Sequence, residues 1–403
     1  MVVTGAGVVA ANGIGTLEFW ESQLASRSGL GKLSRFEPYG PFTPVVAELE
    51  IPPRLRLADD EIARTDRCTQ LAAAAAQLAI DDSGLSQVDP AAVGVMLGTA
   101  YGGIESLEDS HRALLESGPG AVQARFVPMS MPNNAPAWIA IHHGFTGPTG
   151  VTTSACASSA DALIAARQMI VSGEAEVVLA GGAEAPIVPH VMAGFDRLSV
   201  MSTCDVPAEA FRPFSRDRSG SVLGEGAALL VLESASHAAA RGAAPVAEFA
   251  GYGRTSDAYH MCRLDPAAVG PEQAIVKALR SAGLRPEQVQ HVNAHGSGTR
   301  LNDAVEALAL RRVFRDRDAR PAVVASKSLT GHTLGATAAL EAVATVQAIA
   351  NGVVPPTLGA DPVDPELDID VVTGAPREVA VRAALTNSFG FGGHNSVLAF
   401  TAP

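Results

Sequence analysis

Cys156 is the first residue of the chain whose surroundings favour chemistry. It lies in GVTTSACASSADALIAARQMI, where an extended β-branched run at Val151–Thr153 leads through small residues into a predicted helix. Unpaired N–H groups and the helix dipole at a helix N-terminus stabilise an anion, which lowers a thiol pKa and makes the sulfur a nucleophile. Cysteine is also among the most buried residue types, so an inert core position stays open. Cys68, Cys204 and Cys262 lack this context.

Two histidines follow predicted buried strands. His295 lies in VNAHGSGTRLND and His332 lies in ASKSLTGHTLGA, each just after a short apolar run. A histidine at the exit of a buried strand is placed as active-site residues often are. A satisfied polar core residue is the alternative for either histidine alone, but two matching contexts favour a shared site. Neither belongs to an H-x-x-x-H pair or a Cys/His ligand spacing, so we predict no metal site.

A lysine and a glycine-rich loop complete the candidate set. Lys327 lies between apolar and small residues, and a buried ammonium requires a carboxylate partner. Glu341, on the following predicted helix, is the nearest candidate. The loop NSFGFGG at Asn387–Gly393 lacks the ending of a phosphate-binding loop. It could instead supply an N–H group to an oxyanion hole, with Phe391 as an apolar gate.

A nucleophilic cysteine, two histidines and a lysine together imply covalent thioester chemistry. Two neutral imidazoles beside an acyl-cysteine would stabilise charge on the carbonyl of a second substrate. This arrangement fits carbon–carbon bond formation better than hydrolysis, for which one cysteine and one base suffice.

The elements that must position these residues follow an α/β pattern, in which short β-branched runs alternate with alanine-rich helices. The predicted central strands and helices are Val93–Leu97, Val177–Ala180, Val289–Asn293 and Val323–Ala325, and Arg67–Ile80, Ser158–Val171, Glu272–Ala282 and Gly335–Asn351. A helix ends at SGL (83–85) and another at SAGL (281–284), each followed by a similar segment. We therefore predict a duplicated unit, with halves at 1–243 and 244–403 packed as one body.

The composition excludes several classes of protein. Among 403 residues, 29 are basic and 42 acidic, and the net charge of −13 argues against a binder of bulk nucleic acid. The N-terminus lacks a signal-peptide pattern, and no apolar run reaches the roughly 18 residues of a membrane helix. Four cysteines without a C-x-x-C pair favour a reducing compartment. We expect a cytoplasmic protein without membrane contact.

With these motifs assembled, the chain resembles the elongating β-ketoacyl-acyl carrier protein synthases of the thiolase superfamily over nearly its full length. The resemblance rests on TTSACASSADA, AGGAEAP, FSRDRSGSVLGEGA, DAYHM, NAHGSGT, SKSLTGHTLGA and NSFGFGGHN. It implies a five-layered α-β-α-β-α fold from a duplicated unit, working as a homodimer or as a heterodimer with a ketosynthase-like paralogue. It also implies acyl carrier protein as the partner, and no cofactor beyond the phosphopantetheine arm that carries the substrates.

The resemblance further implies a catalytic set of Cys156, His295, His332, Lys327 and Glu341. Cys156 takes an acyl chain as a thioester, and the two histidines bind the thioester carbonyl of malonyl-carrier protein. Loss of carbon dioxide then gives an enolate that attacks the acyl-cysteine and yields a 3-oxoacyl chain. Lys327, paired with Glu341, holds the two-histidine site in place.

The remaining implied roles concern the pocket. The backbone N–H groups of Cys156 and Phe391 form the oxyanion hole, and Phe391 with Phe195 forms a gate between the acyl pocket and the malonyl site. Tyr101 and Thr299 line the substrate pocket. Tyr101 stands near the dimer seam, where the family usually carries a smaller aliphatic residue, so we predict a shortened acyl pocket.

Other features leave alternatives open. Ser297 replaces the threonine of the H-G-T-G-T motif, a variant associated with polyketide ketosynthases, so both fatty-acid and polyketide pathways remain. Because carrier proteins are acidic, the negative chain requires a local arginine patch, at Arg64 and Arg67 or at Arg197 and Arg212. The competing functions are a non-catalytic chain-length partner, a coenzyme A-dependent thiolase-like or chain-initiating enzyme, and an acyl-carrier scaffold.

Overall fold

The computed structural model describes residues 1–37, 45–86 and 88–403. Its strands are β1 (Val2–Ala10), β2 (Gly13–Ile14), β3 (Gly31–Lys32), β4 (Val45–Val46), β5 (Val93–Gly98), β6 (Thr149–Thr152), β7 (Val177–Glu184), β8 (Gly226–Glu233), β9 (Ala247–Ser256), β10 (His291–Asn293), β11 (Ala322–Val324), β12 (Val353–Val354), β13 (Arg377–Glu378), β14 (Ala383–Gly390) and β15 (His394–Thr401). Its α-helices are α1 (Thr16–Leu24), α2 (Asp59–Ile62), α3 (Arg67–Ser83), α4 (Ile104–Ser117), α5 (Phe126–Ser130), α6 (Asn134–His143), α7 (Ser158–Ser172), α8 (Pro189–Arg197), α9 (Ala235–Ala240), α10 (Val269–Ala282), α11 (Arg300–Val313), α12 (Lys327–Thr330) and α13 (Thr337–Asn351).

The main sheet is one five-strand arrangement built twice. The strand order is β6-β5-β7-β8-β1 in the first half and β11-β10-β14-β15-β9 in the second. In each half the first three strands are parallel to one another, and the last two pair antiparallel. The halves join where Val2 and Val3 of β1 pair with β9. The matching order and direction confirm the predicted duplication.

Alternating side chains along the strands separate three hydrophobic layers. In β7, Val177 faces an outer cluster that contains residues of α3 and α6, whereas Val178 belongs to the central cluster. The central cluster combines residues of α7 and α13 with strand residues of the second half, such as Leu398. Helices α10 and α11 cover the other face of that half. The five-layered α-β-α-β-α order follows, with α7 and α13 in the middle layer.

The predicted strands and helices are confirmed, with shifts at their ends. The strand predicted at Val177–Ala180 continues to Glu184. The helix predicted from Gly335 begins at Thr337, after a 3-10 turn at Leu334–Ala336. Both shifted ends lie at the site described below. Within the described residues, no helix is both long enough and apolar enough to span a membrane.

Candidate active site

Cys156 lies in a tight turn between β6 and α7. Ala155–Ala157 form one 3-10 turn, and Ala155 has a φ of 51°, which is uncommon for a residue with a Cβ atom. Gly390, the last residue of β14, packs directly against this turn. A Cβ at Gly390 would lie 2.9 Å from the carbonyl oxygen of Ser154 and 3.1 Å from the nitrogen of Cys156. Glycine therefore lets the second half of the chain close on the cysteine of the first.

Cys156 and His332 are in direct contact. The Sγ atom lies 3.1 Å from Nε2 of His332, whose Nδ1 lies 2.9 Å from the hydroxyl of Thr337. Burial raises the pKa of the Cys156 thiol to about 11, although the Lys327 ammonium and the backbone N–H groups of Phe391 and Cys156 lower it. Burial also holds the pKa of His332 well below its ordinary value, so the ring is neutral. A protonated thiol therefore faces an imidazole that can accept its proton.

The predicted lowering of the thiol pKa at the helix start is wrong. Cys156 is enclosed by the fold and lies two residues before α7 begins. Removing the sulfur from water disfavours the thiolate more strongly than the surrounding N–H groups favour it. The nucleophile must therefore form by proton transfer to its neighbour rather than by resting ionisation.

His295 faces His332, with ring centroids 5.5 Å apart and planes at 80°. The Nζ atom of Lys327 lies 3.2 Å from Nδ1 of His295 and also donates to the carbonyl oxygen of His295. Burial and the Lys327 charge hold the pKa of His295 well below its ordinary value, so this ring is neutral too. Because an ammonium only donates hydrogen bonds, Nδ1 accepts and the proton of the ring is on Nε2. His295 is thus fixed as an Nε2–H donor.

Lys327 is completely buried and paired with Glu341 of α13. The distance from Nζ to Oε1 of Glu341 is 2.5 Å. Burial raises the pKa of Glu341 to about 8, and the Lys327 ammonium lowers it. The structure brings together the pair that the sequence predicted. Lys327 reaches His295 rather than His332, its nearer neighbour in the chain.

Two further buried carboxylates hold the site and were missed by the sequence reasoning. Glu306 of α11 accepts hydrogen bonds from the backbone N–H groups of His295 and Gly296, both at 2.8 Å, and from the side chain of Asn387. Glu184 ends β7 and is completely buried. Each acid lies in an otherwise apolar stretch of a buried element. An acidic residue within an apolar stretch of a buried strand or helix has no exposed position available. This pattern could have identified both Glu306 and Glu184 as buried acids.

A cavity of about 610 Å³ opens onto these groups. Its lining includes Cys156, both histidines and Thr299, a predicted pocket residue. Phe195 and Phe391 also line it, and their rings stack with centroids 6.1 Å apart at 20°. The predicted gate residues therefore lie together beside the nucleophile.

Tyr101 is absent from the lining of this cavity. Its side chain is 39% exposed in the single chain, and its backbone N–H donates to Glu184. Burial raises the pKa of the Tyr101 phenol, and the charges of Glu184 and Cys156 add to that rise. The phenol thus lies within the electrostatic reach of the nucleophile, and its effect on the acyl pocket stays a prediction.

The predicted arginine patch at Arg64 and Arg67 is wrong. Arg67 forms a buried ion pair with Glu225, with Nη2 2.6 Å from Oε1, and Arg64 pairs with Asp60. Charges neutralised in this way present no free positive surface. The cavity lining instead carries three exposed arginines that form no ion pair with any described residue, namely Arg197, Arg263 and Arg300.

Cys156, His295 and His332 also form a compact set of metal-ligand atoms. Their sulfur and imidazole nitrogens all lie within 4.8 Å of one another. The Lys327 ammonium beside His295 repels a cation at this position. The set is better suited to moving a proton and binding a carbonyl group.

The duplicated fold and the Cys–His–His site define a thiolase-fold condensing enzyme, and comparisons with known proteins agree. The family model "Beta-ketoacyl synthase, N-terminal domain" matches residues 1–238, and "Beta-ketoacyl synthase, C-terminal domain" matches residues 246–361. The chain belongs to the β-ketoacyl synthase family.

Individual relatives match over nearly their full length. The 3-oxoacyl-[acyl-carrier-protein] synthase 2 of Synechocystis sp. is 39% identical, over 99% of this chain and 97% of the relative. The ishigamide ketosynthase/chain length factor is 33% identical, with a TM-score of 0.91 over 100% of this chain and 98% of that chain. A ketosynthase bound to the hexaketide, in complex with a type II PKS acyl-carrier protein, is 31% identical, with a TM-score of 0.90 over 100% and 98%.

Proposed function

We propose that this chain catalyses the decarboxylative condensation of an acyl group on Cys156 with malonyl-acyl carrier protein, giving 3-oxoacyl-acyl carrier protein. The observation that carries the proposal is the contact of Cys156 Sγ with His332 Nε2 at 3.1 Å, with the Nε2–H donor ring of His295 facing it, in one cavity of about 610 Å³. Family membership and the 3-oxoacyl-acyl carrier protein synthase relative support the reaction class.

The first half-reaction loads the acyl group. Neutral His332 accepts the proton of the Cys156 thiol at Nε2, and the sulfur attacks the carbonyl carbon of the incoming thioester. The backbone N–H groups of Cys156 and Phe391, which act on the sulfur in the resting site, are placed to stabilise the oxyanion. Collapse expels the carrier thiolate, which takes the proton from His332. Only neutral histidine serves this step, so the low histidine pKa is required.

The second half-reaction forms the carbon–carbon bond. The Nε2–H group of His295 donates to the thioester carbonyl oxygen of the malonyl group. His332 supplies the second donor in its Nε2–H tautomer, in which Nδ1 accepts a hydrogen bond from the Thr337 hydroxyl. Loss of carbon dioxide places the electron pair in an enolate held by these donors. The enolate carbon attacks the acyl-cysteine carbonyl and displaces the sulfur of Cys156 as a thiolate, which takes one proton from solvent to restore the resting thiol. Lys327 and Glu341 act as positioning residues because they fix the tautomer of His295.

We further propose that the acidic carrier protein approaches at Arg197, Arg263 and Arg300. These exposed arginines line the cavity that reaches Cys156, through which a phosphopantetheine arm would enter. Arg263→Glu should raise the KM for malonyl-carrier protein about tenfold, because reversing a rim charge weakens association. Arg285→Glu, an exposed arginine outside the cavity lining, is the matched control. Equal effects of the two changes would contradict this docking site.

A homodimer is the assembly that we propose. Strand β6 is an edge strand in the described sheet, and α6 packs beside it. Exposed apolar side chains lie on α4, α5, α6 and the segment between α5 and α6, namely Leu107, Leu114, Leu115, Val127, Ile141 and Met131. An open edge beside apolar surface favours pairing with another chain. Light scattering should give twice the chain mass, and Ile141→Glu should yield monomer whereas Val276→Glu on α10 should not.

The complete Cys–His–His set argues against a non-catalytic chain-length partner and against a scaffold. A coenzyme A-dependent or chain-initiating enzyme is the second candidate. The relatives include a 3-oxoacyl-[acyl-carrier-protein] synthase and a ketosynthase in complex with a type II PKS acyl-carrier protein. Three points stay predictions: the assignment to a fatty-acid or a polyketide pathway, the boundary between the halves at 243/244, and a cytoplasmic location.

Intact-protein mass spectrometry after incubation with a panel of acyl-carrier proteins tests the proposal. The expected result is an added acyl mass on the wild-type chain that is absent from Cys156→Ala and is turned over when malonyl-carrier protein is added. Cys68→Ala, which removes another buried cysteine, is the control and should load normally. Loading from acyl-coenzyme A but from no carrier protein would favour the second candidate. No loading at all would contradict the proposal.

A further inference from the structure

The turn that carries Cys156 in the first half of the chain has a counterpart in the second half. Cys156 lies in the 3-10 turn Ala155–Ala157 before α7, and Gly335 lies in the 3-10 turn Leu334–Ala336 before α13. The first residue of each turn has a positive φ, 51° for Ala155 and 44° for Leu334. The two following helices each have 15 residues. The second turn thus has the shape of a nucleophile turn but carries a glycine in place of the cysteine.

A buried carboxylate occupies the space in front of this second turn. The backbone N–H of Gly335 donates to Oε2 of Glu184 at 3.1 Å. A Cβ at Gly335 would lie 2.5 Å from the same oxygen and 2.4 Å from the nitrogen of Ala100, so a side chain has no room. The carboxylate therefore stands against the second turn in place of a side chain.

The same carboxylate holds the first half of the chain. Glu184 also accepts the backbone N–H of Ala100 at 2.5 Å, the backbone N–H of Tyr101 at 3.1 Å and the hydroxyl of Thr99 at 2.9 Å. Each oxygen thus receives two hydrogen bonds, and Glu184 forms no ion pair with any described residue. Four donors without a cation identify Glu184 as a structural anchor between two loops rather than half of a salt bridge.

One of those loops carries the base of the site. Gly335 lies two residues before Thr337, whose hydroxyl is 2.9 Å from Nδ1 of His332, and Nε2 of that ring contacts Cys156. The backbone of His332 is held separately, by the carbonyl of Val222 and other bonds. Glu184 can therefore affect the orientation of the ring without displacing the backbone.

We propose that Glu184 is a positioning residue that fixes the second turn, and through Thr337 the His332 ring, at the distance from Cys156 that acyl transfer requires. This inference rests on the proposed function. Glu184 also has an electrostatic effect on the nucleophile, because a negative charge near Cys156 disfavours the thiolate. Burial raises the pKa of Glu184 to about 7, so close to neutral pH this charge is only partly present.

Glu184→Gln separates the two effects because it keeps the shape but removes the charge and two of the four acceptor positions. Acyl loading of Cys156 from carrier protein should slow about 10- to 100-fold, the cost of a misplaced catalytic group. Alkylation of Cys156 by iodoacetamide at pH 8.5 should instead become faster, by up to about tenfold, the equivalent of one pKa unit. A general loosening of the fold would also expose Cys156 to the reagent, but it would do so in Glu184→Asp as well, whereas loss of the charge accelerates alkylation in Glu184→Gln alone.

Glu233→Gln is the matched control. Glu233 is a completely buried carboxylate that ends β8 opposite the start of β7, at the far end of that strand pair from Glu184, and it pairs with Arg241. Glu233→Gln should leave both rates at Cys156 unchanged.

Glu184→Asp retains the charge but shortens the side chain, so it should slow loading without accelerating alkylation. This variant also tests the inference if the glutamine variant does not fold.

Loading at the wild-type rate in folded Glu184→Gln would overturn the inference, as would equal losses in both assays. Failure of the proposed function would give a different result. In that case the wild-type chain itself takes no acyl group from any carrier protein, while the alkylation rates of Cys156 can still be compared between the variants.

Discussion

Replacing Lys327 by methionine should disable malonyl decarboxylation while leaving the fold intact. The ammonium contacts Oε1 of Glu341, Nδ1 of His295 and the carbonyl oxygen of His295. Methionine keeps most of the buried volume but offers no donor, so the neutral ring of His295 can move its proton to Nδ1. In that tautomer the Nε2 atom is an acceptor and repels the malonyl carbonyl oxygen.

The expected magnitude follows from one lost charge-assisted hydrogen bond. Hydrogen bonds to charged groups contribute about 1.5–3 kcal/mol, which corresponds to a fall of about 10- to 150-fold in the rate of decarboxylation. Without the ammonium the pKa of Glu341, already raised by burial to about 8, rises further. The carboxyl group is then protonated and neutral at pH 7, so the loss of stability stays below that of a buried unpaired charge, about 3–5 kcal/mol.

Release of carbon dioxide from malonyl-carrier protein measures the effect, and thermal denaturation verifies the fold. Lys277→Met is the matched control, because Lys277 is exposed on α10 and reaches only a backbone carbonyl. The double variant Lys327→Met/Glu341→Gln should recover stability but not decarboxylation. A folded Lys327→Met protein that decarboxylates malonyl-carrier protein at the wild-type rate would refute the tautomer argument.

Three further outcomes follow from the structure. Because burial raises the pKa of Cys156 to about 11, alkylation by iodoacetamide should rise about tenfold per pH unit from pH 6 to 9, and a plateau below pH 8 would contradict that pKa. Tyr101→Gly should lengthen the acyl chain that mass spectrometry detects on the product, and an unchanged chain length would remove Tyr101 as a determinant. Arg67→Ala should cost about 1.5–3 kcal/mol in urea unfolding because it removes charge-assisted hydrogen bonds to the buried Glu225, which keeps Arg35 and the Leu49 N–H as partners. Arg64→Ala, at an exposed pair, should cost less than about 1 kcal/mol.

The elements that carry the site were predictable because their signals are local. A β-branched run before small residues marks the turn at Cys156, and a strand exit marks His295. His332 also follows a predicted strand, but the short helix α12 lies between β11 and this histidine. The need of a buried lysine for an acid identified Glu341. These inferences depend only on neighbours in the chain, and the structure places all four groups as expected.

The carboxylates that support the site were not predictable in the same way. Glu306 and Glu184 accept hydrogen bonds mainly from backbone N–H groups, which every residue other than proline carries. No residue type at a fixed spacing marks such an acceptor. The arginine patch failed for a related reason, since Arg67 is neutralised by a glutamate 158 positions away.

The sequence by itself determined the kinds of groups available, the duplicated order of strands and helices, and the turns on which the groups lie. The tertiary structure alone decided the distances at which the groups meet, which histidine Lys327 binds, and the charge state of each group. Cys156 and His332 are separated by 176 positions but lie in contact, and Lys327 binds His295 rather than its neighbour in the chain. The thiol pKa is a property of the whole fold, because desolvation depends on every layer that keeps water from the sulfur.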